Sequence, residues 1–346
     1  MHSTHITIVG GGLAGLTLGI GLVRRGVPVT VWEAGSYPRH RVCGEFISGR
    51  GQEVLERLEL LELFRRAGAV FAETAIFFLG RERSPVRPLP APAICLSRFT
   101  MDALLARRFR ELGGELREKQ RWQQPEFGEG VVLASGRRAQ AAENGWRWFG
   151  LKVQATNVRT EAGLEMHVSP RGYVGLTRLG DGYVNVCGLF RRPASGYANT
   201  GSWRDMLRGQ AGTALRERLS QAVFDESSAC AVAGLSLRAQ RASASAECRI
   251  GDALTMIAPA TGNGMSMAFE AAERAVAPLT AYSRGAASWD EAHGLIAADC
   301  DRTFGRRLAW SAWLQWLMFA PSRRAWLSKA ALRSEWLWSF MFARTR

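Results

Sequence analysis

The sequence predicts an α/β fold: a parallel-sheet unit interrupted by an antiparallel sheet and followed by a helical tail. Three observations predict it. A β-branched run, His5-Ile6-Thr7-Ile8-Val9, leads through clustered glycines into a stretch with helical apolar spacing. Residues 146 to 192 alternate as long, hairpin-connected strands, which suits a second layer better than another βαβ unit. Beyond Pro278 the spacing is helical to the end. The chain thus divides into a discontinuous unit (1–69, 98–140 and 235–285), an inserted sheet unit (70–97 and 141–234) and a helical region (286–346).

The first unit is justified element by element. After the opening strand, Gly10-Gly11-Gly12-Leu13-Ala14-Gly15 forms a tight turn, and Leu13 to Arg25 follows as a helix with Leu16, Ile20 and Val23 on one face. Gly26 stops it, and Val27 to Trp32 returns as a second strand tipped by Glu33. This order is that of a dinucleotide-binding unit. Its glycines let backbone approach a pyrophosphate, the helix N-terminus favours anions, and Glu33 is placed to accept from a ribose hydroxyl. Glycine-rich chains reach G-x-G-x-x-G by chance; the strand, helix and acid in register give this one its weight. The candidate contacts here are Gly10, Gly12, Leu13, Ala14, Gly15 and Glu33.

Further along, Ala34 to Gly51 is polar and turn-rich, and Gln52 to Ala67 reads as one helix. Residues 70 to 97 read as strands broken by a proline-rich hairpin at Pro85, Pro88, Pro90 and Pro92. Arg98 to Leu112 is helical and ends at Gly113-Gly114; the meander strands are Gly150–Ala155, Leu164–Val168, Tyr173–Leu176 and Tyr183–Phe190. Trp203 to Phe224 reads as helix, as does Met265 to Ala277, stopped by Pro278.

Composition narrows the function. The 346 residues are 47% hydrophobic with formal charge +14, and residues 302–346 alone hold nine Arg or Lys against one Glu. No nucleic-acid-binding signature accompanies that charge, so nucleic acid is not expected as a partner. No apolar stretch is long enough to span a bilayer, and the glycine-broken N-terminal region is not expected to be a signal peptide. The six cysteines are scattered without metal-type spacing, which predicts no metal, no disulfide framework and a cytoplasmic setting.

A second signature lies near the C-terminal end of the first unit. Arg249-Ile250-Gly251-Asp252 ends a strand on an acid, and Gly262-Asn263-Gly264-Met265 then opens a helix. Alone this is a turn and a capped helix. Together with the N-terminal unit it resembles the flavin-dependent monooxygenase superfamily of the p-hydroxybenzoate hydroxylase type, nearest its geranylgeranyl-reductase-like branch, over most of residues 5 to 281. The resemblance implies a Rossmann-like FAD-binding domain with an inserted substrate sheet. It implies that Asp252, beside Gly251, holds the flavin ribityl chain, and that Gly262, Asn263, Gly264 and Met265 bring backbone N–H groups to the pyrimidine ring. It also places Arg98 near FAD and the Arg41-Val42-Cys43-Gly44 segment beside the isoalloxazine ring, with Cys43 as the candidate catalytic side chain. Ser97 and Asp102 around Arg98 read equally well as a helix cap and first turn, and Cys43 as a small residue filling a turn.

Three departures bear on the reaction. Ser135 stands where hydroxylases of this type carry an acid, which weakens an own NAD(P)H site and favours the reductase branch or an external donor. Trp146-Arg147-Trp148 lacks the Ile-Pro of the halogenase signature and lies too early. The segment between Gly114 and Gly136 is shorter than the usual meander.

The inserted sheet carries no acid pair, Ser/His/Asp arrangement or metal cluster, as expected where a cofactor does the chemistry. Glu45, Lys152 and Tyr173 are candidate bases that read as well as structural residues. Six of the twelve tryptophans (Trp310, Trp313, Trp316, Trp326, Trp336, Trp338) fall in the tail, with Arg306, Arg307, Arg323 and Arg324 flanking. That pattern fits a peripheral site on an anionic membrane or a helix pair packed over the substrate sheet. Either implies a lipophilic small-molecule substrate. The leading expectation is an FAD-dependent monooxygenase using NAD(P)H and O2. Alternatives are a C=C reductase, a halogenase and a non-catalytic FAD-stabilised protein.

Overall fold

The structure is a computed structural model that describes residues 3–124, 127–137, 139–140, 142–143, 145–195, 201–319 and 333–344. Trp326, Arg323 and Arg324 lie outside them. In chain order the elements begin with β1 (Ile6–Val9), α1 (Leu13–Val23), β2 (Val29–Glu33), β3 (Phe46–Ile47), α2 (Arg50–Arg57) and α3 (Leu61–Arg66). Next come β4 (Val70–Leu79), β5 (Glu82–Arg83), β6 (Arg87–Cys95), α4 (Arg98–Glu111), β7 (Glu115–Glu118) and β8 (Val131–Leu133). The inserted part continues with β9 (Trp146–Thr156), β10 (Leu164–Ser169), β11 (Gly172–Arg178), β12 (Val184–Pro193), α5 (Trp203–Arg208), α6 (Ala214–Arg218) and β13 (Val223–Leu235). Finally come β14 (Cys248–Arg249), α7 (Gly264–Ser283), α8 (Trp289–Met318) and a terminal helix, Glu335–Arg344.

Among the described residues these strands make two sheets. The first is wholly parallel, in the order β14-β8-β1-β2-β7. The second runs β13-β9-β12-β11-β10-β4-β6-β3, with β5 beside β4, and is antiparallel except where β10 meets β4. The predicted α/β class with an inserted, mainly antiparallel sheet is what the chain adopts.

Helix α1 is buried from Leu13 to Leu22, not on one face only. Glycine permits this: a Cβ on Gly19 would lie 2.8 Å from the Phe109 ring, and one on Gly21 2.6 Å from Val276. The helix is thereby clamped between α4, α7 and the parallel sheet, and each buried leucine or isoleucine contributes about 1.5–3 kcal/mol. That clamp fixes where the α1 N-terminus points.

Four segments differ from the sequence reading. The Gln52–Ala67 helix is two, α2 and α3, broken where Glu59 takes φ 50°. The prolines do not make the hairpin: Pro88, Pro90 and Pro92 sit within β6, and the turn is at Gly80, φ 65°. Pro90 and Pro92 fall where the β4–β6 register shifts between Ala72 and Thr74, a place where a missing ladder donor is tolerated. Trp203–Phe224 is interrupted after α5, with Gly209 and Gly212 at positive φ, and Phe224 lies in β13. Lastly, α7 passes through Pro278 to Ser283. Burial of Val276 and Leu279 there offsets the roughly 3 kcal/mol that an interior proline costs.

Candidate cofactor and substrate site

A cavity of about 920 Å³ lies between the two sheets. The sites read from opposite ends of the sequence converge on it. Gly10, Gly12, Leu13 and Ala14 line it from the β1–α1 turn, Glu33 from the tip of β2, and Arg41, Cys43 and Gly44 from the loop after it. Arg98, Asp252, Gly262, Gly264 and Met265 complete that half. The two loops touch, since a Cβ on Gly251 (φ 60°) would lie 2.9 Å from the Ala14 methyl.

Three candidates are placed behind the wall. Gly15 is a packing glycine: an added Cβ would meet Gly10 O at 2.0 Å. Gly251 supplies the positive-φ turn, and Asn263 is buried at the N-cap position of α7.

Helix N-termini differ in how their first-turn N–H groups are met. Ser97, Ser202, Thr213 and Ser288 cap α4, α5, α6 and α8. Neither α1 nor α7 has a side-chain cap or an acid in its first turn. Their first-turn N–H groups therefore face the cavity without a protein partner from a cap, which is where an anionic ligand is favoured. Gly12 adds a cradle, because an added Cβ there meets nothing within 4 Å.

The polar wall is tied together by Tyr37 and Arg39, which sequence reading did not single out, and by Asp102, which it read as part of a helix first turn. Glu33 Oε2 accepts from Gly11 N (3.1 Å), and Oε1 accepts from Gly35 N (2.7 Å) and Arg39 (2.6 Å). The Tyr37 hydroxyl donates to the Gly11 carbonyl, and burial with nearby Glu33 raises its pKa, keeping it a donor. Arg98 grips buried Asp102 with two bonds of 2.8 and 2.9 Å, while Arg41 Nε reaches the same carboxylate at 3.0 Å. Asp102 is thus the anchor of two guanidinium groups at the wall. The i,i+4 spacing of Arg98 and Asp102 was the available signal. Ser97 also caps α4, so the cap and the wall position of Arg98 coexist.

Cys43 stands at the junction with the apolar half. Burial raises its thiol pKa against the pull of Arg98, leaving it a neutral thiol, and Asn185 Nδ2 fixes its carbonyl at 2.9 Å. Behind it Glu45 and Lys152 form a fully buried pair at 3.1 Å. Tyr173 is buried, and Phe77, Met166, Leu189, Leu317 and Trp338 extend the cavity as an apolar chamber.

Residues 3–144, less than half of the chain, match the family described as FAD binding domain. By structure the chain is similar to the halogenase PltM (TM-score 0.72, 14% identity, covering 97% of this chain and 78% of that one). It is also similar to PqsL of P. aeruginosa in complex with 2-aminobenzoylacetate (0.69, 18%, 98% and 100%) and to the flavin-dependent brominase Bmp2 (0.72, 16%, 99% and 95%). At these identities the likeness is one of fold. A search of curated proteins finds no sequence match.

Proposed function

We propose that the protein is an FAD-dependent monooxygenase that hydroxylates a lipophilic aromatic or polyketide-like small molecule, with NAD(P)H as electron donor and O2. The observation that carries this reading is the division of the cavity. One half offers two uncapped helix N-termini and Asp252; the other is an apolar chamber with access to the same junction. The residues present fit FAD. The α1 N-terminus and Gly12 would receive its diphosphate, Glu33 its ribose, Asp252 its ribityl chain, and the α7 N-terminus the ring edge where charge accumulates on reduction. Bound there, the flavin supplies two-electron chemistry with oxygen, and the apolar chamber excludes water and orients the substrate.

The test is mass spectrometry of the product after incubation of FAD-loaded protein, NAD(P)H and a lipophilic ligand co-purified with it. Gain of one 18O atom from 18O2 is the expected result. Gain of two hydrogens without oxygen would establish the C=C reductase reading, which Cys43 at the cavity junction favours. Halide incorporation would establish halogenation, and unaltered ligand with unreduced flavin a binding role.

The tail supports delivery of such a substrate from a membrane surface. Leu314, Leu317, Met318 and Trp338 face the cavity, while Trp313, Trp316 and Trp336 are 41%, 54% and 73% exposed. Their outer faces join: ring centroids step from Trp313 to Trp310 (5.7 Å), to Phe340 (5.3 Å), to Trp336 (5.3 Å), with the Arg344 guanidinium 5.2 Å from the Phe340 ring. Among the described residues no helix is long and apolar enough to cross a bilayer. Sedimentation with anionic vesicles is expected, weakening with salt, and replacing Trp313, Trp316 and Trp336 with serine together should reduce it about tenfold or more. Equal sedimentation of the triple variant would remove this route.

A further inference from the structure

One buried acid in the cavity wall has no place in cofactor binding. Glu45 is fully buried, with φ 56°, and lines the cavity. Its Oε1 accepts from Arg98 N (2.8 Å) and from Lys152 Nζ (3.1 Å), whereas Oε2 is buried without a partner. A carboxyl oxygen left so costs about 1–3 kcal/mol unless something meets it. Beyond Glu45 the contacts run on to His40, which also lines the cavity. Lys152 Nζ lies 3.1 Å from His40 Nδ1, and the half-buried His40 ring stacks on exposed Phe99 at 4.6 Å.

We infer that Glu45, Lys152 and His40 form a proton path along the cavity wall, from the half-buried His40 ring to Glu45 Oε2 as its inner terminus. As a proton leaves Oε2 for a molecule in the cavity, Lys152 delivers one to Oε1 and the carboxyl double bond shifts between the oxygens. Lys152 is refilled from Nδ1 of a His40 ring that water has protonated at Nε2, and a flip of the ring restores the starting tautomer. Every transfer breaks one N–H or O–H bond and forms one, so one proton moves and nothing is oxidised or reduced. The reverse sequence removes a proton from the cavity.

The charge environment suits the terminus. Burial raises the Glu45 carboxyl pKa, while Lys152 and Arg98 pull it down. The remaining titratable groups facing it are the thiols of Cys43, Cys95, Cys187 and Cys230, and Asp225 faces His40. Burial and Lys152 lower the His40 pKa, so it donates readily once protonated. Glu45 and any bound substrate would meet directly; Lys152 and His40 act through Glu45 as positioning residues. Only the identity of the proton acceptor rests on the proposed reaction.

Infrared titration of the FAD-free chain tests the terminus without catalysis. The expected result is a protonated-carboxyl carbonyl band that persists above the ordinary glutamate range, is lost in Glu45→Gln, and persists to still higher pH in Lys152→Met. In the FAD-loaded protein Glu45→Gln should slow turnover about 100-fold with FAD affinity unchanged. His40→Ala should slow it less and be restored by added imidazole. Absence of the band at every pH, or a His40→Ala protein that turns over normally or ignores imidazole, would overturn the path. Should Glu45→Gln fail to fold, Lys152→Met and His40→Ala still decide. A chain that binds no FAD but shows the band defeats the proposed reaction and leaves the proton path standing.

Discussion

Gly12→Ala should fold as the wild type does and yet purify without FAD. Gly12 has φ −86° and ψ −170°, a conformation open to alanine, and its added Cβ meets no protein atom within 4 Å. The methyl would instead intrude on the space above the α1 N-terminus, where a diphosphate approaches backbone. Thermal unfolding of the apo chain should be unchanged, while FAD affinity drops about 100-fold or more, about 2.7 kcal/mol. Gly10→Ala supplies the contrast. Gly10 has φ +114°, and a Cβ there would lie 2.4 Å from the Ala134 carbonyl oxygen and 2.6 Å from Ser135 Cα. Both neighbours are backbone of the loop after β8, which cannot step aside without disturbing the β1–β8 pairing. Backbone strain and overpacking, about 1–3 kcal/mol each, take a large part of a domain's roughly 5–15 kcal/mol. The expected outcome is therefore loss of folded protein. Two glycines two residues apart are thus required for different reasons, one by the fold and one by the ligand. A Gly12→Ala protein that retains full FAD occupancy would refute that assignment.

Such positions were legible in the sequence because their chemistry is local. A glycine that must turn, and a helix N-terminus that must stay uncapped, are set by their immediate neighbours. The same holds for the meander, where the alternation from Gly150 to Phe190 matches β9 to β12 closely. Segments governed by distant packing were misread. Pro278 ends a helix by local rules, but Val276 packs on Gly21 of α1 and Leu279 is buried, and that burial carries α7 six residues further. The apolar run around Phe224 looked helical because nothing within it reveals that β9 offers an open edge for β13.

The candidate site divides in the same way. The residues expected to face FAD were recognisable from both ends of the chain, and the structure brings most of them to one cavity. Tyr37 and Arg39 were not recognisable, because each is tied to another wall residue through the fold. Their partners, Gly11 and Glu33, lie 26 and 6 residues away, and no periodic pattern marks such pairs, whereas Asp102 sits at i,i+4 from Arg98. Lys152 was singled out as a candidate base, but its pairing with Glu45, 107 residues away, was not legible, since the two meet only through the packing of β9 over the loop after β2.

Asp252→Ala is expected to leave a folded, colourless protein, and its pH behaviour separates a binding role from a structural one. Asp252 lines the cavity just after the Gly251 turn that brings it beside α1. As a carboxylate it can accept hydrogens from the hydroxyl groups of a ribityl chain; protonated, it loses part of that capacity. Burial raises its pKa, and Arg137 and Arg98 only partly oppose this. The sign follows: protonation begins at a pH above the ordinary aspartate range, so FAD affinity should fall on acidification earlier than an exposed carboxylate would allow. Asp252→Ala should lose about 100-fold in affinity at neutral pH, since hydrogen bonds to charged groups contribute about 1.5–3 kcal/mol each. Asp252→Asn should retain part of the affinity and lose the pH dependence in that range, because an amide does not titrate. Equilibrium titration of apo protein with FAD, followed by flavin fluorescence across pH, reads all three quantities. If Asp252→Ala stays fully yellow, or Asp252→Asn keeps the wild-type pH profile, the carboxylate is not what holds the cofactor.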